Sequence, residues 1–320
     1  MVIALVSLFT VSGYAYSITS NSIALTAFEA NYKILHYNVA AKEENEEIVD
    51  FTALANASTY SNRSAWSCEP YTPTSDYSRS ADGSRAIIDG ISLDPVDDVT
   101  VAPYCKVVAV ESIFHYIKNG VLMTHSWICT GVILGPNLVL TAGHAIYSND
   151  YGGWVDYCNI YTEMESDTEY YSSTVATQIT IHDRCKQGSG DYDWAYIMTE
   201  TNIGNTQGWM GFSGEDIDNY IAAEMAVTVA GFPNNECIMK ESHGNIVGKW
   251  SDQLLLAEIS TTGGMSGAPI YSSDQYVRAI LAGPGNGNDE TEDTTDYLNN
   301  RGSAITPELF LLLRRAKNQG

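Results

Sequence analysis

From Ala86 onward the chain is broken by Gly, Asn, Asp and Pro into short apolar or alternating runs, and this punctuation constrains the fold more than any other feature. The runs occupy residues 106–112, 128–134, 138–141, 195–198, 227–230 and 277–282. Segments of four to seven residues suit strands, and no long amphipathic helix lies between them to cover a parallel sheet. The expected class is all-β, a barrel or sandwich. Only the C-terminal stretch reads as a helix. Thr306 can cap it, Pro307 suits the first turn, and Leu309, Leu312 and Leu313 share a face. Arg314, Arg315 and Lys317 fall in its last turn, where cations favour the helix dipole.

The 320 residues are enough for one large domain or two modest ones. A 44% hydrophobic and 17% charged content excludes a disordered or fibrous chain. With 16 Lys and Arg against 39 Asp and Glu, the net charge is -23, which repels phosphate backbones and anionic bilayers. Neither nucleic acid nor membrane is expected as a partner. Residues 2–11 form an apolar run too short to span a bilayer, which needs about 20 residues. Gly13 and Ala15 follow at −3 and −1 of a cleavage point, so residues 1–15 read as a secretory signal without the usual positive start. Cys68, Cys105, Cys129, Cys158, Cys185 and Cys237 fit an oxidising compartment and form no CxxC motif; disulfides are expected, with all 15 pairings open. Asn56 and Asn62 begin glycosylation tripeptides. Residues 16–85 are rich in Ser, Thr, Asn and Tyr, carry Glu43, Glu44, Glu46 and Glu47, and show little sustained periodicity. No internal repeat is visible.

Three segments carry chemistry. LVLTAGH (138–144) is an apolar strand delivering His144 just after a glycine. GDYDWAYI (190–197) places Asp193 at the mouth of another strand, and TTGGMSGAP (261–269) sets Ser266 in a glycine-rich turn. A serine hydroxyl is a weak nucleophile until a base takes its proton, and an imidazole titrating near pH 6.5 suits that task. An acid such as Asp193 would hold the ring in the useful tautomer. The glycines at 263, 264 and 267 let the amides of Gly264 and Ser266 converge on a developing oxyanion. Each signal alone is weak; their order and combination point to a nucleophilic hydrolase. The histidines at 36, 115, 125, 182 and 243 show no paired ligand spacing, and His125 and His182 read as surface or satisfied residues. No oxygen-ligand loop for calcium is visible. No metal and no cofactor are expected.

STTGGMSGAPI (260–270) resembles the nucleophile segment of chymotrypsin-fold serine proteases, and among them the glutamyl endopeptidase group of staphylococcal and bacillary enzymes. CTGVILGPN (129–137) and TAGH (141–144) are similar to that group's strand and histidine turn, and Asp193 with its flanking residues to its aspartate. IGNT (203–206) and GFP (231–233) match further. The likeness runs from about Ala86 to the end. It implies two antiparallel six-stranded β-barrels of the trypsin-like kind, with a C-terminal helix and an N-terminal pro-segment. His144 and Asp193 would come from the first barrel and Ser266 from the second, with the site in the cleft between them. The implied organisation is a signal peptide over 1–15, a propeptide or N-terminal segment over 16–85, and the protease domain over 86–320.

The resemblance also implies activation. VAPY (101–104) is similar to a segment near the group's mature amino terminus, which places the start at Ala86, after a cut at Arg85. In trypsin relatives the new terminus pairs with an acid just before the nucleophile; Met265 stands there, so no such pair is expected. The alternative is that residues 16–85 remain as a permanent N-terminal domain. Cutting at Arg85 leaves five cysteines, so either one stays free or Cys68 tethers the pro-segment. Ala145 stands where relatives often carry a cysteine, which deprives Cys129 of that common partner. Glutamate preference in the group depends on a hydroxyl five residues before the nucleophile and a histidine on the opposite pocket wall. Thr261 supplies the first, but Leu281, or Gly283 with the loop shifted past Ala282, replaces the second. Ser260 stands where a trypsin pocket has aspartate. Asp289, Glu290, Glu292, Asp293 and Asp296 read as a solvated loop that would oppose acidic substrates near the cleft. The expectation is a secreted, monomeric endopeptidase acting on proteins or peptides, its residue preference open. The rival is a catalytically silent binding protein on the same fold.

Overall fold

The computed structural model describes residues 18–19, 22–23, 29, 31–56, 67–72, 90–166, 169–233, 237–284 and 299–319. After a minimal antiparallel pair, Ile18–Thr19 with Ser22–Ile23, comes a hairpin of β1 (Lys33–Asn38) and β2 (Glu43–Ile48), followed by the short helix α1 (Phe51–Asn56). Next are β3 (Val107–Lys118), β4 (Val121–Ile133), β5 (Leu138–Thr141), β6 (Tyr157–Thr162) and β7 (Ser172–His182). One-turn helix α2 (Asp183–Lys186) leads to β8 (Ala195–Thr199). Six more strands are β9 (Ala226–Gly231), β10 (Lys240–Ser251), β11 (Leu254–Ala257), β12 (Pro269–Tyr271), β13 (Tyr276–Pro284) and β14 (Asn300–Ala304). Helix α3 (Pro307–Gln319) ends the chain.

Strands β3 to β8 pair antiparallel in the order β6-β3-β4-β5-β8-β7, and β6 pairs back onto β7. Strands β9 to β14 run in the order β12-β9-β10-β11-β14-β13, with β12 closing onto β13. Closure removes the exposed edges that such short strands would otherwise present. The six sequence runs all fall in these barrels. Val108, Val110, Ile133, Ile179 and Ile197 fill the first; Val229, Ile246, Leu255, Ile259 and Ile270 fill the second. Val107, Leu140, Phe232, Phe310 and Leu313 join both barrels to α3 in a third cluster. Thr306 caps α3, its hydroxyl accepting the Leu309 amide at 3.3 Å. The helix buries the expected leucines.

The described stretches 31–56 and 67–72 of the N-terminal segment hold more regular structure than its composition suggests. Strand β1 adds to the first barrel by pairing with β7, from Ile34 opposite His182 to Asn38 opposite Gln178. Tyr32, Ile34, Leu35, Tyr37 and Phe51 are buried against the barrel cores. The acids of β2 find cations: Glu47 holds Arg315 of α3 through two bonds at 2.6 and 3.0 Å, and Glu44 holds Lys186 of α2. Residues 67–68 pair with Phe212 and Ser213, and the buried Lys106 ammonium donates to Thr72 Oγ1 at 2.7 Å. Cys68 is therefore held by strand pairing. No disulfide joins any of the six cysteines, so the expected framework is not formed in this structure. The signal segment, Arg85 and Ala86, Asn62 and the acidic stretch 289–296 lie outside the described residues. Among the described residues no helix is long and apolar enough to cross a membrane.

Candidate active site

Pairing of β5 with β8, Thr141 opposite Ala195, brings together the two turns that leave these strands. One is a single turn of 3-10 helix, Gly143–Ala145, that presents His144; the other, Gly190–Tyr192, leads into Asp193. The Asp193 carboxylate accepts from His144 twice: the main-chain N–H reaches Oδ1 at 2.8 Å and Nδ1 reaches Oδ2 at 2.7 Å. This approach demands glycine at 143. A Cβ there would overlap Cys185 Sγ and sit 3.2 Å from both Asp193 Oδ1 and the Trp194 nitrogen. Asp193 is only 8% exposed, and the Ser303 hydroxyl of β14 donates to its backbone carbonyl at 3.1 Å, tying the second barrel to the first. The His144 ring is 46% exposed and opens to solvent. The negative charge of Asp193 and the hydrogen bond to it raise the imidazole pKa above its ordinary value, outweighing desolvation.

Ser266 stands between Met265, fully buried in the second barrel, and Gly267, whose φ is +84°. Thr130 of β4 secures this turn. Its amide donates to the Ser266 carbonyl at 2.9 Å, and its hydroxyl accepts from the Phe232 amide and donates to the Gly264 carbonyl at 3.2 Å. A Cβ on Gly267 would overlap Thr130 O and Thr141 Oγ1 and approach the Ala142 nitrogen to 2.8 Å. The Ser266 turn thus rests directly on the loop that carries His144. Ser266 Oγ itself makes no hydrogen bond to His144 or to any other described residue. The amides of Gly264, at φ +90°, and Ser266 have no acceptor among the described residues and remain available donors.

Of the residues expected to form the pocket, Ser260 is buried and its hydroxyl donates to the Ile91 carbonyl at 2.9 Å. Thr261, Ala282 and Gly283 are partly exposed. Leu281 turns its side chain into the second core and offers its carbonyl to the Gly267 amide at 2.8 Å. Thr130, which lies in the CTGVILGPN segment without a role assigned to it, and Ser303, outside every quoted motif, brace the Ser266 turn and the Asp193 loop. His182 is a core residue: its Nδ1 accepts from the Arg184 amide at 3.0 Å, its ring stacks on Tyr192, and burial pushes its pKa down to about 3. Among the described residues no group of three or more His, Cys, Asp or Glu is placed to hold a metal ion.

Two closed six-stranded barrels, with a His–Asp pair and a glycine-flanked serine on facing loops, define the trypsin-like class. The chain matches the trypsin family model over residues 112–297, more than half its length, and belongs to that family. It is 28% identical over 197 residues to the glutamyl endopeptidase of Bacillus licheniformis, covering 59% of this chain and 60% of that protein. Identity is also 28% over 203 residues to an extracellular metalloprotease of Bacillus subtilis, covering 60% and 58% respectively. The chain thus spans about three-fifths of the length of these curated relatives. Among solved structures, a Glu endopeptidase in complex with MPD aligns with a TM-score of 0.58 at 23% identity, covering 73% of this chain and all of that one. The protease Anisep from Arthrobacter nicotinovorans aligns at 0.51 with 15% identity, covering 67% of this chain and 96% of that one. These two likenesses concern the fold.

Proposed function

We propose that the chain is a secreted serine endopeptidase acting through Ser266, His144 and Asp193. The observation that carries this reading is the double acceptance of His144 by Asp193. It directs Nδ1–H at the carboxylate and leaves Nε2 as the base, while Gly267 seats the serine turn against the same loop. His144 Nε2 takes the Ser266 proton as Oγ attacks the substrate carbonyl. The Gly264 and Ser266 amides donate to the oxyanion, each on the order of 3 kcal/mol by precedent. Collapse expels the amine with the proton from His144, and water then hydrolyses the acyl-enzyme by the same relay. Opening of apo contacts that tighten on substrate binding accounts for the unengaged Ser266 hydroxyl.

The substrates are proteins or peptides. Thr261 and the name of the Bacillus licheniformis relative favour an acidic residue in the pocket, and Leu281 in place of a histidine opposes it. The segment 16–85 serves as a pro-segment, with activation between Arg85 and Ala86 and Met265 excluding a trypsin-type terminal ion pair. A second reading, a silent binding protein, is favoured by one observation, the absence of a Ser266–His144 hydrogen bond. Incubating the secreted product with a mixed peptide library, with and without Ser266→Ala, decides between them. Cleavage that vanishes in the variant supports the protease, and no cleavage by the wild type supports the binding protein. N-terminal sequencing of the active form should begin at Ala86; a start well away from it removes the activation scheme.

A further inference from the structure

We infer that Arg301 reads an acidic side chain of the substrate on the amino-terminal side of the scissile bond, outside the pocket that receives the residue at that bond. The inference rests on the proteolytic reading above. Side chains alternate along β14, and Gly302 faces the second core, where a Cβ would meet Ile270 Cδ1 at 2.7 Å and Ala279 Cβ at 2.9 Å. Arg301 and Ser303 therefore face the other way. The Ser303 bond to the Asp193 carbonyl shows that this face looks onto the catalytic end of the first barrel.

Arg301 lies opposite Gly283 of β13, and its Nη2 is 3.9 Å from the place a Gly283 side chain would begin. The missing side chain leaves the guanidinium room beside the pocket strand. Its other neighbour is the Trp250 ring, 5.5 Å away and half-exposed. Adjacent Ser251 donates to Asp191 Oδ1 at 2.8 Å, which ties this end of β10 to the loop of Asp193. Arg301 thus borders the cleft from the pocket side.

The guanidinium also lacks what three other described arginines have. Arg184, Arg278 and Arg315 each hold a carboxylate. Arg301 has no ion-pair or hydrogen-bond partner among the described residues, and its Nε is buried without an acceptor. A buried donor left unmade is costly, and acids outnumber bases here by 39 to 16. The planar fork is suited to a carboxylate supplied from outside. Its place along the strand sets which one. Leu281 touches the nucleophile turn through its carbonyl, and Gly283 lies two residues on, about 7 Å of extended chain. A peptide lying along β13 with its scissile carbonyl at Ser266 brings its second or third residue before the cut to Arg301.

The test is a set of fluorogenic peptides with one fixed residue at the scissile bond and Glu or Gln at each of the three positions before it. The activated enzyme should prefer Glu over Gln in kcat/KM by about ten-fold or more at the second or third position, equivalent to about 1.4 kcal/mol. R301Q should abolish that preference and R301E should turn it towards Lys, with hydrolysis of a neutral peptide unchanged in both. Equal rates for the Glu and Gln peptides in the wild type overturn the inference, as does an unchanged preference in R301Q or an effect confined to the scissile residue. A wild type that cleaves no peptide overturns the proteolytic reading instead.

Discussion

Gly267→Ala tests how the nucleophile is placed. Residue 267 has φ +84°, where a Cβ costs about 1–2 kcal/mol. The added methyl would also strike the Thr130 carbonyl, the Thr141 hydroxyl and the Ala142 nitrogen. Two of these are backbone atoms of paired strands and their loop, which cannot rotate aside, so overpacking adds about 1–3 kcal/mol. The combined loss of about 2–5 kcal/mol should lower Tm by roughly 4–20 °C, at about 2–4 °C per kcal/mol for a domain of this size. Activity should fall further than stability implies. Relief of the clash pushes the Ser266 turn off the His144 loop, and a displacement of about 1 Å costs on the order of 100-fold in rate. Gly120→Ala is the control, since Gly120 has φ +77° but nothing within 4 Å of its would-be Cβ. It carries the backbone penalty without the clash. Thermal melts and kcat at a temperature where both variants are folded provide the readout. If Gly267→Ala behaves like Gly120→Ala in both, the glycine does not position the nucleophile and the reasoning fails.

Because Asp193 raises the His144 pKa, the acid limb of kcat/KM should have its midpoint above the ordinary imidazole value of about 6.5. Asp193→Asn should move that limb down and cut kcat by about 10⁴-fold, and a limb that stays put in the variant would refute the assignment. The stability that protonated His144 draws from Asp193 should be present below about pH 6.5 and fade as pH rises through the raised value. After tryptic cutting at Arg85, residues 31–56 should remain on the catalytic body at pH 7, seen as one species by native mass spectrometry. Against the upward push of burial, Lys186 and Arg315 hold Glu44 and Glu47 below the usual carboxylate range. The hairpin should therefore loosen only as pH falls below about 4; loss at neutral pH would count against this docking. Burial pushes the Cys129 thiol up to about 12, so iodoacetamide should modify it only after denaturation.

The barrels were legible because closed strands impose a regular rhythm of short runs and turns, and the candidate-site segments because Ala-Gly-His and Gly-x-Ser-Gly constrain the backbone around His144 and Ser266. The β1–β2 hairpin was not. Strand β2 reads Glu-Glu-Asn-Glu-Glu-Ile, without the apolar alternation that marks a half-buried strand. Its support comes from Lys33, Lys186 and Arg315, one of them 268 positions away, and no local pattern encodes such pairings. The disulfide expectation drew on cell compartment rather than geometry, and the fold places Cys129, Cys158 and Cys185 in the first core without joining them. The role of Thr130 has no sequence signature, because bracing a turn through a backbone carbonyl needs only a hydroxyl at the right place on a strand.

The central claim is that His144 and Asp193 make the Ser266 hydroxyl a nucleophile. Reaction of the activated chain with a fluorophosphonate, followed by peptide mapping, tests it most directly. A single adduct on Ser266, formed faster as pH rises through the His144 titration and lost in His144→Ala, is the predicted result. No adduct, or one that forms equally well without His144, would contradict it.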